Sequence, residues 1–223
     1  MKTILEPHQQ ALILDFGGVI SRALFETHAE TEIALGLKPN TLRWKGPFDI
    51  DSDPLWQAMQ ADQLSEREYW LVRTREVGQL AGQEWTQMQD FVKAARGAEP
   101  AKVIRPEALK AISQAKQAGY KLAILSNELD LFYGSEFRSR LDFMQWFDVI
   151  SDATYTEVLK PDPRAYLDCL EELGLPAHHC VFVDDQLRNV KGAEAVGLKT
   201  VHFSVLDPAG GYQQALRLLG IED

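Results

Sequence analysis

The sequence predicts an α/β protein in which a parallel sheet with crossover helices is interrupted early by an all-helical insertion. Three observations lead there. The run Ala11-Leu12-Ile13-Leu14 is apolar throughout and stops at Asp15 and the pair Gly17-Gly18, as a short buried strand does. From about Arg105 onward, apolar runs alternate with helical periodicities, the pattern of βαβ units. Between about Ser21 and Gly97 that alternation stops and only helical spacings recur.

Within the insertion, Phe25, Ala29 and Ile33 share a helical spacing, as do Met88, Phe91, Val92 and Ala95. Ser65-Glu66-Arg67-Glu68 reads as a capping box opening a helix through Tyr69 and Trp70. Four of the five tryptophans fall here, at 44, 56, 70 and 85, and are expected mainly to hold together a module with little core of its own. Past it, Pro106-Glu107 starts a helix with Leu109, Ile112 and Ala115 on one face, ended by Gly119. Lys121–Leu125 is a strand stopping at Ser126-Asn127. Residues 131–147 are aromatic and irregular, and Asp148-Val149-Ile150 is a short strand. Asp162 as N-cap, Pro163 at the first helical position, a stripe of Tyr166, Leu167, Leu170 and Leu173, and Gly174 as terminator define the next helix. Val181-Phe182-Val183 is a strand closed by Asp184-Asp185. A helix to about Val196, the strand 200–203 and a helix near Tyr212–Leu219 complete the array.

Composition narrows the function. A net charge of -10 argues against a nucleic-acid or anionic-membrane surface, and no apolar run reaches a membrane span, so a soluble, cytoplasmic protein is expected. Any phosphate site must then be built locally from lysine, backbone N–H groups and metal. Two cysteines, Cys169 and Cys180, cannot frame a disulfide scaffold and sit among apolar neighbours. His178-His179-Cys180 lacks a second ligand group at finger-like spacing, which disfavours zinc.

In one parallel sheet the carboxyl ends of the strands share an edge, so Asp15, Ser126-Asn127 and Asp184-Asp185 should converge, with Lys160 from the stiff Lys160-Pro161-Asp162-Pro163 segment. That set suits phosphoryl transfer. A carboxylate attacking a phosphate meets like-charge repulsion, which a divalent cation on Asp15 and the acidic pair, with a lysine alongside, would offset. Ser126 and the N–H groups after it are donors for phosphate oxygens. Asp162, as an N-cap, is expected to be structural. Arg43-Trp44 lies in a basic, aromatic loop and is the expected reader of the substrate's remainder.

The runs Leu12–Ile20, Ala123–Asn127, Lys160–Pro163 and Val181–Gly197 together resemble the haloacid dehalogenase superfamily, in the subfamily with a helical cap inserted after the first motif. The resemblance implies a Rossmann-like core of residues 1–20 and 98–223 and a cap of residues 21–97, hinged near Ile20–Arg22 and Gly97–Pro100. It further implies a phosphatase acting on a small phosphorylated metabolite, foremost a sugar phosphate. Asp15 would be the nucleophile and, with the Gly17 carbonyl and Asp185, hold Mg²⁺, which Asp184 would reach mainly through water. Ser126 and Lys160 would bind the transferring phosphoryl group, with Asn127 near it.

One departure stands out: phosphatases resembling this chain usually carry an acid/base Asp where it has Gly17. General acid–base help is worth about 10²- to 10⁴-fold, so turnover slows without vanishing. His28 is a conceivable substitute donor. Two alternatives stay open. A haloacid dehalogenase proper also lacks the second Asp, but it generally lacks the double acid of Asp184-Asp185 as well. A weakened member kept for binding a metabolite or protein rests on Gly17 alone.

Overall fold

The structure is a computed structural model that describes residues 6–96 and 100–222. Its strands are β1 (Ala11–Leu14), β2 (Lys121–Ser126), β3 (Val149–Asp152), β4 (Cys180–Asp184) and β5 (Lys199–His202). Among the described residues the α-helices are α1 (His28–Ala34), α2 (Pro54–Gln60), α3 (Glu66–Leu80), α4 (Met88–Arg96), α5 (Pro106–Gln117), α6 (Leu129–Tyr133), α7 (Ser135–Ser139), α8 (Ala153–Thr156), α9 (Pro163–Leu173), α10 (Leu187–Ala195) and α11 (Pro208–Leu219). The chain divides into two compact units: Met1–Arg22, Ile104–Leu129 and Leu141–Asp223 in one, Ala23–Val103 and Asp130–Arg140 in the other.

The first unit holds the sheet. Its order is β3-β2-β1-β4-β5 and every neighbouring pair is parallel. The chain builds outward from β1 to β3 on one side, then returns past β1 to place β4, so connections diverge between β1 and β4. In an open α/β sheet that divergence is where a crevice forms at the carboxyl ends. β1 is buried along its whole length because helices cover both faces of a parallel sheet, which is why it reads as unbroken apolar sequence. Ile13, Leu125, Phe182, Tyr166 and Leu173 meet in the core on the α9 side.

α9 begins at the Asp162 cap, whose carboxylate accepts from the Arg164 N–H at 2.9 Å, and ends at Gly174 in the left-handed region. In this unit two of the expected apolar faces need correction. The buried stripe of α9 is Ala165, Tyr166, Cys169, Leu170 and Leu173, while Leu167 is 51% exposed. On α5, Ala108, Ala111, Ile112 and Ala115 face inward and Leu109 is 37% exposed. On α5 the buried row is mostly alanine, and in both helices the misassigned leucine sits on the flank, partly in water.

The helical unit is organised around rings. Trp44, Trp56, Tyr69, Trp70, Phe91 and Phe132 share one buried cluster with Met59, Met88 and Val92. The Ser65 capping box forms, with Glu68 N–H on Ser65 Oγ at 3.2 Å and Ser65 N–H on the Glu68 carboxylate at 2.7 Å. α4 buries Met88, Phe91, Val92 and Ala95 as its spacing predicts. α1 does not follow the expected face: Ile33 is 80% exposed, and Thr31 and Glu32 are buried instead. The Glu32 carboxylate is spent on the chain after the helix, accepting from the Asn40 and Leu42 N–H groups at 2.9 and 2.8 Å. Residues 130–140, expected with the core, belong to this unit, where Phe132 packs edge-on to Trp70 at 5.3 Å between centroids.

Candidate active site

Asp15 follows β1 directly, and its N–H donates to the Val183 carbonyl at 3.0 Å, which locks the end of β1 to β4. Asp184 closes β4. The two carboxylates therefore stand side by side at the point where connections diverge, together with Asp185. One oxygen from each of Asp15, Asp184 and Asp185 lies within 4.8 Å of the others.

Lys160 comes from the loop before α9, and its ammonium is buried between two of these acids: Nζ donates to Asp15 Oδ1 at 2.8 Å and to Asp184 Oδ2 at 2.7 Å. It also lies 5.4 Å from the Phe182 ring centroid. Burial alone would pull the lysine pKa down, but the facing carboxylates of Asp15 and Asp184 outweigh it and push the pKa up. The two carboxylates thus favour the charged ammonium. Its loop is held on two sides. Asn127, just past β2, accepts the Lys160 N–H at 2.7 Å and donates Nδ2 to the Lys160 carbonyl at 3.1 Å. α10 approaches so closely at Gly192 that a β-carbon there would stand 2.9 Å from Pro161 Cβ and from the Tyr166 hydroxyl.

The turn after Asp15 depends on its second glycine. Gly18 adopts φ +79°, and a β-carbon on it would fall 2.4 Å from Asp185 Oδ2. Gly17 has an ordinary φ of -72°, and a β-carbon there would meet nothing within 4 Å. The side-chain space usual for a second Asp is therefore open.

The structure brings together Asp15, Lys160, Asp184 and Asp185, and puts Gly17 on the turn that leaves Asp15. Ser126 is buried at the end of β2, with its Oγ 3.4 Å from the Glu128 N–H. Asn127 is at the expected place, and its side chain grips the Lys160 peptide. Two residues escaped the sequence reading. Asn189 on α10 donates Nδ2 to both Asp184 oxygens at 3.1 Å, while the Gln186 N–H donates to Oδ1 at 2.8 Å, so Asp184 is oriented from every side. Its signal was an Asn one helical turn beyond the acidic pair. Arg105, buried at the start of α5, donates Nε and Nη2 to the Gly18 carbonyl at 3.1 and 2.9 Å. Nothing local in sequence points from 105 to 18.

Of the expected substrate readers, Arg43 is exposed but Trp44 is 3% exposed within the helical unit. Leu42 and Trp44 point inward and Arg43 and Lys45 outward, so the loop alternates like a strand. Trp44 lies edge-on to His28 at 4.3 Å, with the Arg73 guanidinium 4.9 Å from its ring. Burial, reinforced by Arg73, lowers the His28 pKa to about 4 against the pull of Glu32. A neutral imidazole at pH 7 is a poor proton donor, which removes the case for His28 as the missing acid. Among the described residues the carboxylate trio is the one group of three or more potential metal ligands that assembles. Cys180 lies at the other end of β4, where burial pushes its thiol up to about 12. No helix among the described residues is long and apolar enough to cross a membrane.

Comparison with known proteins agrees with this geometry. Phosphatase MT3486 of Mycobacterium tuberculosis is 27% identical over 194 residues, covering 85% of this chain and 84% of that one. Acyl-CoA dehydrogenase family member 10 of Mus musculus is 36% identical over 96 residues, 43% of this chain, and the match spans 9% of that longer protein. The solved L-2-haloacid dehalogenase of Xanthobacter autotrophicus has the same fold, with a TM-score of 0.58 at 20% identity over 87% of this chain and 77% of that one. A family model of haloacid dehalogenase-like hydrolases matches residues 9–197, a span that takes in Asp15, Ser126, Lys160 and the acidic pair. The chain belongs to the haloacid dehalogenase-like hydrolases.

Proposed function

We propose that this hydrolase is a Mg²⁺-dependent phosphatase that takes a small phosphorylated metabolite, foremost a sugar phosphate, through an aspartyl-phosphate intermediate. The observation that carries the reading is the trio Asp15, Asp184 and Asp185 with the Lys160 ammonium on two of its members. An all-oxygen donor set of this kind fits a hard divalent cation. Asp15, the Gly17 carbonyl and Asp185 would hold the ion, with Asp184 reaching it through water, and it would supply the charge neutralisation that lets one anion attack another.

The chain's own residues supply the rest. Asp15 forms a bond from its carboxylate oxygen to phosphorus as the ester P–O bond breaks and its electron pair leaves with the alcohol oxygen. Lys160 and the Ser126 hydroxyl donate to the phosphoryl oxygens through the transfer. Water then attacks the phosphorus of the aspartyl phosphate, releasing inorganic phosphate and restoring Asp15. Asn127, Asn189 and Arg105 are positioning residues, holding Lys160, Asp184 and the Gly18 turn.

The same reading gives the helical unit the cap's role of selecting the substrate, with hinges near Ile20–Arg22 and Gly97–Pro100, the latter a few residues before the chain leaves the helical unit after Val103. Residues 97–99 of the second hinge lie outside the described residues. The first crossing is tied to the return of the chain, since Ser21 pairs with Ile104 and the Arg105 N–H donates to the Ile20 carbonyl at 3.0 Å.

The likeness to Phosphatase MT3486 supports phosphate transfer. The absence of a second Asp at Gly17 favours a competing dehalogenase reading, and an assay separates them. Phosphate release from p-nitrophenyl phosphate that needs Mg²⁺, stops in EDTA and is lost in Asp15→Asn supports the phosphatase. Halide release from a 2-haloacid in EDTA would overturn it, and no turnover of any phosphate ester by the folded protein would leave a binding role.

A further inference from the structure

Three successive carbonyls on the turn after Asp15 are held from outside it. Arg105, at the start of α5, donates Nε and Nη2 to the Gly18 carbonyl and its N–H to the Ile20 carbonyl. Between these, the Val19 carbonyl accepts from the Tyr212 hydroxyl on α11 at 3.0 Å, from a residue 193 positions along the chain. Val19 and Tyr212 are both buried. Burial pushes the phenol pKa up, which favours the protonated form that donates. All of these residues belong to the unit that holds the sheet.

The turn needs outside support. Gly17 and Gly18 restrain its backbone least, and Gly18 must hold φ +79° with Asp185 filling the place of a side chain. The Ser21 N–H closes the turn on the Phe16 carbonyl at 2.8 Å, which fixes its ends rather than its middle.

α11 is shaped for the contact. Gly210 and Gly211 are poor helix formers in its opening turn, yet a β-carbon would collide at each. On Gly210 it would fall 2.2 Å from the Asp207 carboxylate that caps the helix, and on Gly211 2.6 Å from the Phe203 ring. Without a side chain at 211 the helix lies against Phe203. That ring meets Tyr212 at 5.1 Å between centroids and has the Arg105 guanidinium 5.8 Å from its own centroid, so it packs against both residues that grip the turn. A phenylalanine at 212 would fill the same space; what the hydroxyl adds is the bond to Val19.

We infer, on the phosphatase reading of this site, that Tyr212 is a positioning residue for the metal: by holding the Val19 carbonyl it fixes the Gly17–Gly18 turn so that the Gly17 carbonyl and Asp185 can take the same divalent cation. α11, which lies outside the span 9–197 matched by the family model, thereby becomes a determinant of metal affinity.

The test is Mn²⁺ binding to the whole protein, followed by loss of the free-ion signal in electron paramagnetic resonance. Tyr212→Phe removes one oxygen and keeps the ring against Phe203. It should weaken Mn²⁺ binding about ten-fold, the lower end of what losing an outer partner of a metal site costs. Tyr120→Phe is the control, since the Tyr120 hydroxyl donates to the Leu219 carbonyl at 2.7 Å, a buried bond of the same kind at the far end of α11. That variant should lose comparable stability in urea and bind Mn²⁺ as the wild type does. Should Tyr212→Phe not fold, Gly211→Ala pushes α11 off Phe203 and is expected to weaken binding in the same way. Wild-type Mn²⁺ affinity in the folded Tyr212→Phe or Gly211→Ala variant overturns the inference and leaves the phosphatase reading intact. So does an equal loss in Tyr120→Phe, which would mark a general loosening of α11. Wild-type protein that binds no Mn²⁺, or binds it no better than Asp185→Asn does, overturns both.

Discussion

Gly18 and Asp185 occupy adjoining space: the carboxylate rests where a β-carbon on residue 18 would be, 2.4 Å from it. Gly18→Ala must therefore displace the end of Asp185 and hold alanine at φ +79°. The expected cost is about 1 to 3 kcal/mol of stability, with a severalfold higher Mg²⁺ requirement in activity titrations. Gly17→Ala, at an ordinary φ with open space, should change stability by less than about 0.5 kcal/mol. Urea unfolding of the two variants side by side reads the difference.

Lys160→Met should be costly in a way that a second change repairs. Removing the ammonium leaves Asp15 and Asp184 facing each other without their shared partner, a loss of about 3 to 5 kcal/mol where a buried pair is broken. Adding Asp15→Asn removes one of the stranded charges, so the double variant should be more stable than Lys160→Met alone. Phosphatase activity should be gone even at saturating Mg²⁺. Wild-type stability in the single variant would contradict the bridging role.

His28 gives a pH dependence with a definite sign. Its imidazole takes a proton near 6.5 when exposed and near 4 in the folded protein. Between those values the unfolded chain binds more protons, so stability falls as pH drops through the window. At pH 5 the loss from this group is about 2 kcal/mol relative to pH 7. His28→Gln should lose correspondingly less between pH 7 and 5, measured by urea unfolding at both.

Gly17 predicts substrate preference. With no acid to protonate the departing oxygen, kcat/KM should depend steeply on leaving-group pKa, favouring aryl, acyl and anomeric sugar phosphates over primary alkyl phosphates. The open space at residue 17 allows Gly17→Asp to be made without a steric clash at Cβ, and the slope should flatten in that variant. A flat wild-type profile with chemistry limiting would mean another group already serves as the acid.

How far the sequence could be read follows from the range over which its signals act. β1, the helix opened by Asp162-Pro163 and the Ser65 capping box are specified by neighbours within a few residues, and each forms as read. The convergence of Asp15, Lys160 and the acidic pair was legible because parallel strands put their ends on one edge. Arg105 on Gly18 and Asn189 on Asp184 were not, since a buried hydrogen bond across the fold leaves no periodicity. Trp44 misled for the opposite reason. Basic and polar neighbours suggested an exposed loop, while alternate residues of that loop face opposite ways.

The chain passes between its two compact units four times, after residues 22, 103, 129 and 140. During synthesis, Trp70 leaves the ribosome long before Phe132, the ring that lies edge-on to it. The helical unit thus stays unfinished until the second strand of the future sheet has already been made. The same threading limits recombination. A segment cut at 23 and 103 and grafted onto another core would arrive without the wall that residues 130–140 supply, its indole surface bare to whatever the new host places there.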